Sequence, residues 1–193
     1  MAHDLKNWGG GANFSARMLT EIADLSDSAR ASKVNLDLER KPVDLVRICR
    51  EALSHYEAAA GGKGIEIRAR LPDSPVIVET DRTAMLRIVD NLLSNAVKFS
   101  PPETLVSLSL GIAAVSIVVE DAGPGFSEED HKNLFEPFTR LTARPIAGEV
   151  STGLGLAVVK QLADSLGISI KIDNAARGAR VTLDFESNSA FEE

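Results

Sequence analysis

The stretch Asn91-Leu92-Leu93-Ser94-Asn95-Ala96-Val97-Lys98-Phe99-Ser100 decides the fold, because it sets a polar stripe beside a row of core residues. Asn91 and Asn95 are four residues apart, so on a helix both side chains project from one face, and Lys98 lies on roughly that side. Two amides and an ammonium suit phosphate oxygens and a hydrated Mg²⁺, an ion that needs only one or two protein oxygens. Taken alone, the stretch is explained equally well by a helix whose polar face is merely solvated.

This stretch ends a longer predicted helix. Asp81 can cap the start of that helix, and Pro101 and Pro102 prevent it from continuing beyond about Phe99. Its apolar residues recur at helical spacing, which predicts one buried face. They are Met85, Leu86, Val89, Leu92, Leu93, Ala96 and Val97.

Strands and further helices surround this helix along the chain. Pro42 and Asp44 open an earlier helix that the glycines of 61–64 close, and Ser127 with Asp130 resembles a capping box that opens a short helix. Alternation of apolar and polar residues indicates strands. The predicted strands are 65–70, 76–78, 105–110, 115–120, 168–172 and 179–185, and the last helix is 156–166. Because the strands are adjacent in pairs, they predict an α/β (α+β) two-layer sandwich with a mixed sheet, helices on one face and a helical segment in front.

The composition excludes several classes of protein. The chain has 193 residues, a net charge of −7, one Tyr, one Trp and no basic run, which argues against nucleic-acid binding. A single cysteine, Cys49, rules out a disulfide framework within one chain and predicts a reducing cytosol, and His3, His55 and His131 are too far apart to suggest zinc. The longest apolar stretch, 112–119, is strand-length, so we expect a cytoplasmic chain without a membrane segment, although a full-length protein could be membrane-anchored.

Three further motifs follow the helix. Asp121-Ala122-Gly123-Pro124-Gly125 comes directly after a strand, where a carboxylate can accept a hydrogen bond from an amine such as that of adenine. Taken alone, however, this motif is better explained as a β-turn. Leu134-Phe135-Glu136-Pro137-Phe138 precedes a predicted mobile loop, 139–152, and is most simply explained as a hydrophobic plug that anchors the loop. Thr152-Gly153-Leu154-Gly155-Leu156 opens a helix, and backbone N–H groups at a helix start attract phosphate.

Together and in this order, the four motifs resemble the N, G1, F and G2 boxes of the ATP-binding domain of the GHKL superfamily. Histidine kinases share this domain with Hsp90 chaperones, MutL and type II topoisomerases. The resemblance covers residues 42–185, and NLLSNAVKFS, LFEPF and the lead-in Pro42-Val43-Asp44-Leu45 look like the sensor-kinase branch. It implies a Bergerat-type fold that binds ATP and Mg²⁺ and transfers the γ-phosphate to a histidine for relay to the receiver domain of a response regulator.

The resemblance also implies a role for each motif residue. Asn95 would supply the side-chain oxygen to Mg²⁺, Asp121 would accept from the adenine amine, and 139–152 would form the ATP lid. Where the family often has Gly-Thr-Gly-Leu-Gly-Leu, Ser151 replaces the first glycine. The residues implied to bind nucleotide are Asn91, Asn95, Lys98, Phe99, Asp121, Gly123, Gly125, Arg140, Thr152, Gly153, Leu154, Gly155 and Leu156.

The first residues look like an H box, in which a histidine accepts the phosphate and the next acid assists it. His3 and Asp4 are therefore the implied catalytic pair, because neutral imidazole is nucleophilic near pH 7. Trp8 stands where the family usually has Pro, three glycines follow, and 22–26 already resembles the end of the second hairpin helix. A full pair of long helices does not fit in this length, so either the region was shortened naturally or its first residues are engineered.

The predicted organisation has three parts: a partial dimerisation and phosphoacceptor region (1–40), an ATP-binding domain (41–186) and a disordered polar tail (187–193). The family implies a homodimer for the full-length protein. A nucleotide-binding pseudokinase or interaction module, without autophosphorylation in this chain, stays open as an alternative. A third reading, an anti-sigma-type serine kinase of the same superfamily, is disfavoured by the H-box-like start.

Overall fold

The computed structural model describes residues 38–139, 141–143 and 152–185. The chain divides into two units, Met1–Leu36 and Asp37–Glu193, and the described residues all belong to the second. The predicted helical region before residue 38, the predicted tail, and the candidate residues His3, Asp4 and Arg140 lie outside the described residues. No helix among the described residues is long and apolar enough to cross a lipid bilayer.

The described residues form a mixed sheet, a small second sheet and several helices. The helices are α1 (Leu45–Gly62), α2 (Arg82–Phe99), α3 (Glu128–Asn133) and α4 (Gly155–Leu166). The strands are β1 (Lys41–Asp44), β2 (Glu66–Arg70), β3 (Ile77–Thr80), β4 (Leu105–Gly111), β5 (Ser116–Glu120), β6 (Ile168–Asn174) and β7 (Ala179–Phe185). Five strands pair in the order β2-β4-β5-β7-β6; β2 runs parallel to β4 and the other pairs are antiparallel. This sheet with its helices confirms the predicted fold class.

Burial alternates along the central strands, so one face of the sheet is covered. Val106, Leu108 and Leu110 in β4 are buried, whereas Ser107 and Ser109 between them are partly exposed. Since successive side chains of a strand point to opposite faces, the core lies on one side only. Helix α2 contacts both α1 and α4, and all three helices contact the sheet there.

Helix α1 supplies much of this core, including the thiol of Cys49. Burial, with a smaller contribution from the charge of Asp44, raises the pKa of the Cys49 thiol to about 12. A thiol that stays protonated at neutral pH is a poor nucleophile. Cys49 is therefore a buried packing residue.

The start of the described region differs from the prediction that Pro42 opens a helix. Lys41–Asp44 instead form β1, which pairs antiparallel with β3, and Pro42 is tolerated because each strand of a two-stranded sheet is an edge. Asp44 does cap α1: its Oδ1 accepts the Val46 N–H at 3.0 Å. Only the cap was therefore predicted correctly at this boundary.

The caps of the next helices agree with the sequence. Asp81 Oδ1 accepts the Ala84 N–H at 2.8 Å and starts α2, and α2 ends at Phe99 ahead of the prolines, as predicted. Ser127 and Asp130 form the predicted reciprocal capping box at α3. Both caps supply acceptors for backbone N–H groups that a helix start otherwise leaves without partners.

Candidate functional site

Helix α2 presents two amide side chains to the start of α4. A Cβ built on Gly155 would lie 3.4 Å from Asn95 Nδ2 and 3.5 Å from Asn91 Oδ1. Asn91 is 5% exposed, and its Nδ2 donates to the Arg87 carbonyl one turn earlier at 2.9 Å. The structure thus brings together two motifs that the sequence singled out separately, the asparagine pair of α2 and the glycine motif at the start of α4.

Asp121 lies at the end of β5 and is held by backbone donors. Its Oδ1 accepts the Gly123 N–H at 2.8 Å and the Ala179 N–H at 3.0 Å. Burial raises the pKa of Asp121, although these two hydrogen bonds act in the opposite direction. A partly buried carboxylate held in one orientation is suited to recognising a ligand donor.

A cavity of about 70 Å³ lies between α2, the end of β5 and the start of β7. Most of its wall is apolar, with the Asn95 amide and the Asp121 carboxylate as polar groups. An apolar cavity with few polar groups is the usual form of a small-ligand site. Its lining residues are Leu92, Asn95, Ala96, Phe99, Val119, Asp121, Pro124, Gly125, Phe126, Leu141, Ala143, Leu156, Ala179 and Val181.

The end of α2 holds the glycine loop that follows β5. Ser100 Oγ accepts the Ala122 N–H at 3.2 Å, and a Cβ on Gly123 would lie 2.9 Å from the Phe99 carbonyl oxygen. The loop therefore approaches the helix at a distance that favours glycine. Lys98, in the last turn of α2, is partly exposed.

The residues just before α4 are tied to the start of the predicted lid. Gly153 has a φ of +72°, and a Cβ there would lie 2.6 Å from the Thr139 carbonyl oxygen. The Phe138 N–H donates to the Gly153 carbonyl at 3.2 Å. Leu154 is buried, whereas Thr152 is partly exposed.

The aromatic motif is only in part the plug that the sequence predicted. Leu134 is buried and Phe135 is partly exposed, with its ring 5.9 Å from the Lys160 ammonium. Phe138, however, is 66% exposed and has a φ of +62°. The prediction of a buried plug is wrong for Phe138, because its backbone conformation next to Gly153 leaves the ring outside the core.

Sequence reasoning missed two residues beside the site, Asn174 and Gly178. A Cβ on Gly178 would lie 2.2 Å from the Asp121 carbonyl oxygen and 2.4 Å from its Oδ1. Asn174 forms two hydrogen bonds with the backbone of Phe126, both at 2.8 Å. In the sequence both residues look like ordinary members of a hairpin turn.

Asp130 links α3 to a segment that contributes to the cavity wall. Its Oδ1 accepts the Thr142 N–H at 2.8 Å, and its Oδ2 accepts from the Thr142 hydroxyl and from Ser127. Thr142 lies between Leu141 and Ala143, both of which line the cavity. Burial opposes ionisation of Asp130, but the hydrogen bonds from Thr142 and Ser127 outweigh it and lower its pKa to about 2.

The Asp130→Asn variant is expected to lower the free energy of unfolding by about 2 kcal/mol at neutral pH, because a cap and charged hydrogen bonds are lost. The folded-state pKa lies below the ordinary 3.8. The carboxylate therefore stabilises the fold above about pH 4, and this stabilisation is lost as the pH falls toward about 2. Urea unfolding measured across this pH range should show that the difference in the free energy of unfolding between parent and variant becomes smaller as the pH falls. Glu129→Gln, at an exposed residue of the same turn, is the control, and a difference independent of pH would contradict the assignment.

Comparison with known proteins identifies the family. The model of the histidine kinase-, DNA gyrase B- and HSP90-like ATPases matches residues 80–189. The sensor histidine kinase TmoS of Ectopseudomonas mendocina is 32% identical over 164 residues, which are 83% of this chain and 17% of TmoS. The sensor-like histidine kinase SenX3 of Mycobacterium tuberculosis is 33% identical over 175 residues, 89% of this chain and 42% of SenX3.

A solved structure agrees with these relatives. Full-length ShkA, in complex with AMPPNP, matches with a TM-score of 0.71 and 27% identity over 87% of this chain and 35% of ShkA. The chain spans less than half the length of each of these three proteins. With a family match over more than half of its residues, the chain belongs to the histidine kinase-, DNA gyrase B- and HSP90-like ATPases, as the ATP-binding catalytic domain of a histidine kinase.

Proposed function

We propose that this chain binds Mg·ATP between α2, the loop 121–126 and the start of α4, and that it transfers the γ-phosphate to a histidine. The observation that carries the proposal is the position of Gly155 against Asn91 and Asn95, with Asn95 and Asp121 in the wall of one cavity. The site thus has a carboxylate for a base in the cavity wall and two amides near a helix start for phosphates.

The adenine ring would occupy the apolar part of the cavity. Two backbone donors hold Asp121 Oδ1, which leaves Oδ2 to accept from the exocyclic amine. Phe99 and Gly125 line the same cavity, and glycine lets the backbone approach a flat ring closely. This arrangement favours a base that carries an amine over one that carries a carbonyl at that position.

The phosphates would lie at the start of α4. Its N-cap residue, Leu154, makes no side-chain capping hydrogen bond, so the first backbone N–H groups of the helix can donate to phosphate oxygens. Gly153 and Gly155 keep this approach free of side chains, and Lys98 would add positive charge. Arg140 remains a proposed phosphate contact.

Mg²⁺ would be held mainly by the nucleotide. Among the described residues there is no group of three His, Cys, Asp or Glu side chains that could hold a metal. Asn95 would contribute its side-chain oxygen, while phosphate oxygens and waters complete the coordination, as is usual for this ion. Asn91, whose Oδ1 also faces Gly155, would support this network.

Phosphoryl transfer depends mainly on positioning and charge neutralisation, and the proposed site provides both. The acceptor would be His3, assisted by Asp4, or a histidine on a helical hairpin of the full-length protein. The phosphate would then pass to a response regulator, and a homodimer would bring the acceptor to the site. The match to ShkA in complex with AMPPNP supports nucleotide binding here.

Asn95→Ala is expected to lower ATP affinity about 30-fold when Mg²⁺ is present, which is about 2 kcal/mol. With a chelator in place of Mg²⁺ the variant and the parent should bind ATP with similar, weaker affinity, because the lost oxygen acts through the metal. Titration calorimetry measures both conditions. Ser94→Ala, one residue away and off the amide-bearing face, is the control. An equal loss with and without Mg²⁺ would remove Asn95 from the metal site.

Transfer itself needs a separate experiment. The chain is incubated with Mg·ATP labelled at the γ-phosphate, alone and with a phosphoacceptor hairpin from a related kinase. Acid-labile label on the chain that disappears in His3→Gln would identify His3 as an acceptor, and label on the hairpin would establish kinase activity in trans. ATP binding without either product would favour the pseudokinase.

A further inference from the structure

The last residue of β6 and the first residue of β7 hold the two ends of the loop 121–126. At one end the Asp121 N–H donates to the Ala179 carbonyl and the Ala179 N–H donates to Asp121 Oδ1, both at 3.0 Å. At the other end Asn174 Oδ1 accepts the Phe126 N–H and Asn174 Nδ2 donates to the Phe126 carbonyl, both at 2.8 Å. Asn174 and Ala179 face each other across the hairpin, so the two attachments are adjacent.

The attachment of Phe126 depends on the chemistry of an amide. An amide has a donor and an acceptor side by side, and can therefore pair with the N–H and the C=O of one residue, as a neighbouring strand does. Gly125 permits this approach, because its φ is +69° and a Cβ there would lie 2.6 Å from Asn174 Oδ1. Asn174 itself is exposed, so its amide acts at the loop and contributes little to the core.

The loop between the two attachments carries groups that the proposed adenine site needs. The Gly123 N–H donates to Asp121 Oδ1 at 2.8 Å, and Gly125 and Phe126 line the cavity. If the Phe126 end were released, both the donor to Asp121 and the cavity wall would lose their restraint.

We infer that Asn174 is a positioning residue for adenine recognition. It holds the far end of the loop 121–126, and so keeps the Asp121 carboxylate and the Gly125–Phe126 wall in place against the base. The inference rests on the proposed function, since it concerns the same site. Asn174 acts through Asp121 and Phe126, not by contact with the nucleotide.

The test compares ATP with inosine triphosphate, which carries a carbonyl where adenine carries its amine. In Asn174→Ala we expect ATP affinity to fall about tenfold, the effect of one hydrogen bond to a charged group. Affinity for inosine triphosphate, which gains nothing from an ordered Asp121, should change about twofold at most, so the ATP preference falls about fivefold or more. Asn174→Asp, which keeps the acceptor for the Phe126 N–H and loses the donor, should give an intermediate preference.

Asn133→Ala is the matched control, because Asn133 is an exposed asparagine whose amide donates to the Glu129 carbonyl at 3.3 Å. It should leave the ATP preference unchanged. Thermal unfolding confirms that each variant is folded at the temperature of titration. If both Asn174 variants weaken the two nucleotides equally, or leave the preference unchanged, the inference is overturned while the nucleotide site stands. If the parent binds no ATP, the proposed function fails and the role of Asn174 fails with it.

Discussion

Replacing Asp121 with Asn is expected to lower ATP affinity about 100-fold, which is about 2.7 kcal/mol and typical of a lost hydrogen bond to a charged group. The N–H groups of Gly123 and Ala179 both donate to Asp121 Oδ1. In the variant these donors select the amide oxygen, so the amide NH₂ takes the other position and meets the adenine amine donor to donor. The shape of the side chain is kept, and only its hydrogen-bonding sense is reversed.

The same substitution is expected to leave the domain at least as stable as the parent. Burial raises the pKa of Asp121, so in the folded state the charged form is disfavoured relative to the unfolded chain. The sign follows from this: at neutral pH the carboxylate opposes folding, and the parent gains stability as the pH falls through the raised pKa. A neutral amide removes that penalty. A buried carboxylate that recognises a ligand is expected to lower the stability of the fold, because binding function and stability often compete.

Calorimetric titration with Mg·ATP and thermal unfolding at neutral pH measure the two effects on one sample. Asp73→Asn is the control, because Asp73 is exposed in the turn between β2 and β3. Its ATP affinity and its thermal stability should both match those of the parent. If the Asp121→Asn variant binds ATP normally, another group recognises the base. If it loses both binding and stability, Asp121 is a structural residue.

The parts of the fold that local chemistry determines could be predicted from the sequence. Helix α2 follows from its apolar period, its cap at Asp81 and the prolines that end it, and the caps at Asp44 and Ser127 follow from the same rule. Strand β1 could not be predicted, because neither its own sequence nor that of β3 indicates that the two segments pair. Pro42 at a helix start and Pro42 on an edge strand look alike in the sequence.

In the candidate site, too, features that depend on local sequence could be predicted, whereas contacts between distant segments could not. Asn91 and Asn95 share a face because they are four residues apart, and the position of Gly155 beside them could be expected only from the family resemblance. Asn174 and Gly178 gave no such signal. Contacts of the β6–β7 turn reach Phe126 and Asp121, 48 residues or more earlier in the chain, and a turn residue's sequence does not reveal what its backbone approaches.

Among substitutions that add one methyl group near this site, Gly178→Ala is expected to cause the largest combined loss of fold stability and ATP affinity. Gly178 has a φ of +83°, which costs an L-residue about 1–2 kcal/mol. The added Cβ would also lie 2.2 Å from the Asp121 carbonyl oxygen and 2.4 Å from Oδ1. Since the obstacle includes backbone, the loop or the hairpin must move. We expect a total loss of about 3 kcal/mol or more in the free energy of unfolding, and at least about a 100-fold loss of ATP affinity.

Gly167→Ala separates the two causes of this loss. Gly167 ends α4 with a φ of +73°, and a Cβ there would meet nothing within 4 Å. It should therefore cost about 1 kcal/mol of stability from the backbone alone and leave ATP affinity unchanged. Urea unfolding and calorimetric titration of both variants give the comparison. If Gly178→Ala costs no more than Gly167→Ala and still binds ATP, the hairpin can shift without disturbing Asp121, and the carboxylate is not held by the β6–β7 turn. If Gly178→Ala lowers ATP affinity far more than Gly167→Ala does, the close approach of Gly178 to Asp121 is what holds the carboxylate in position to recognise the base.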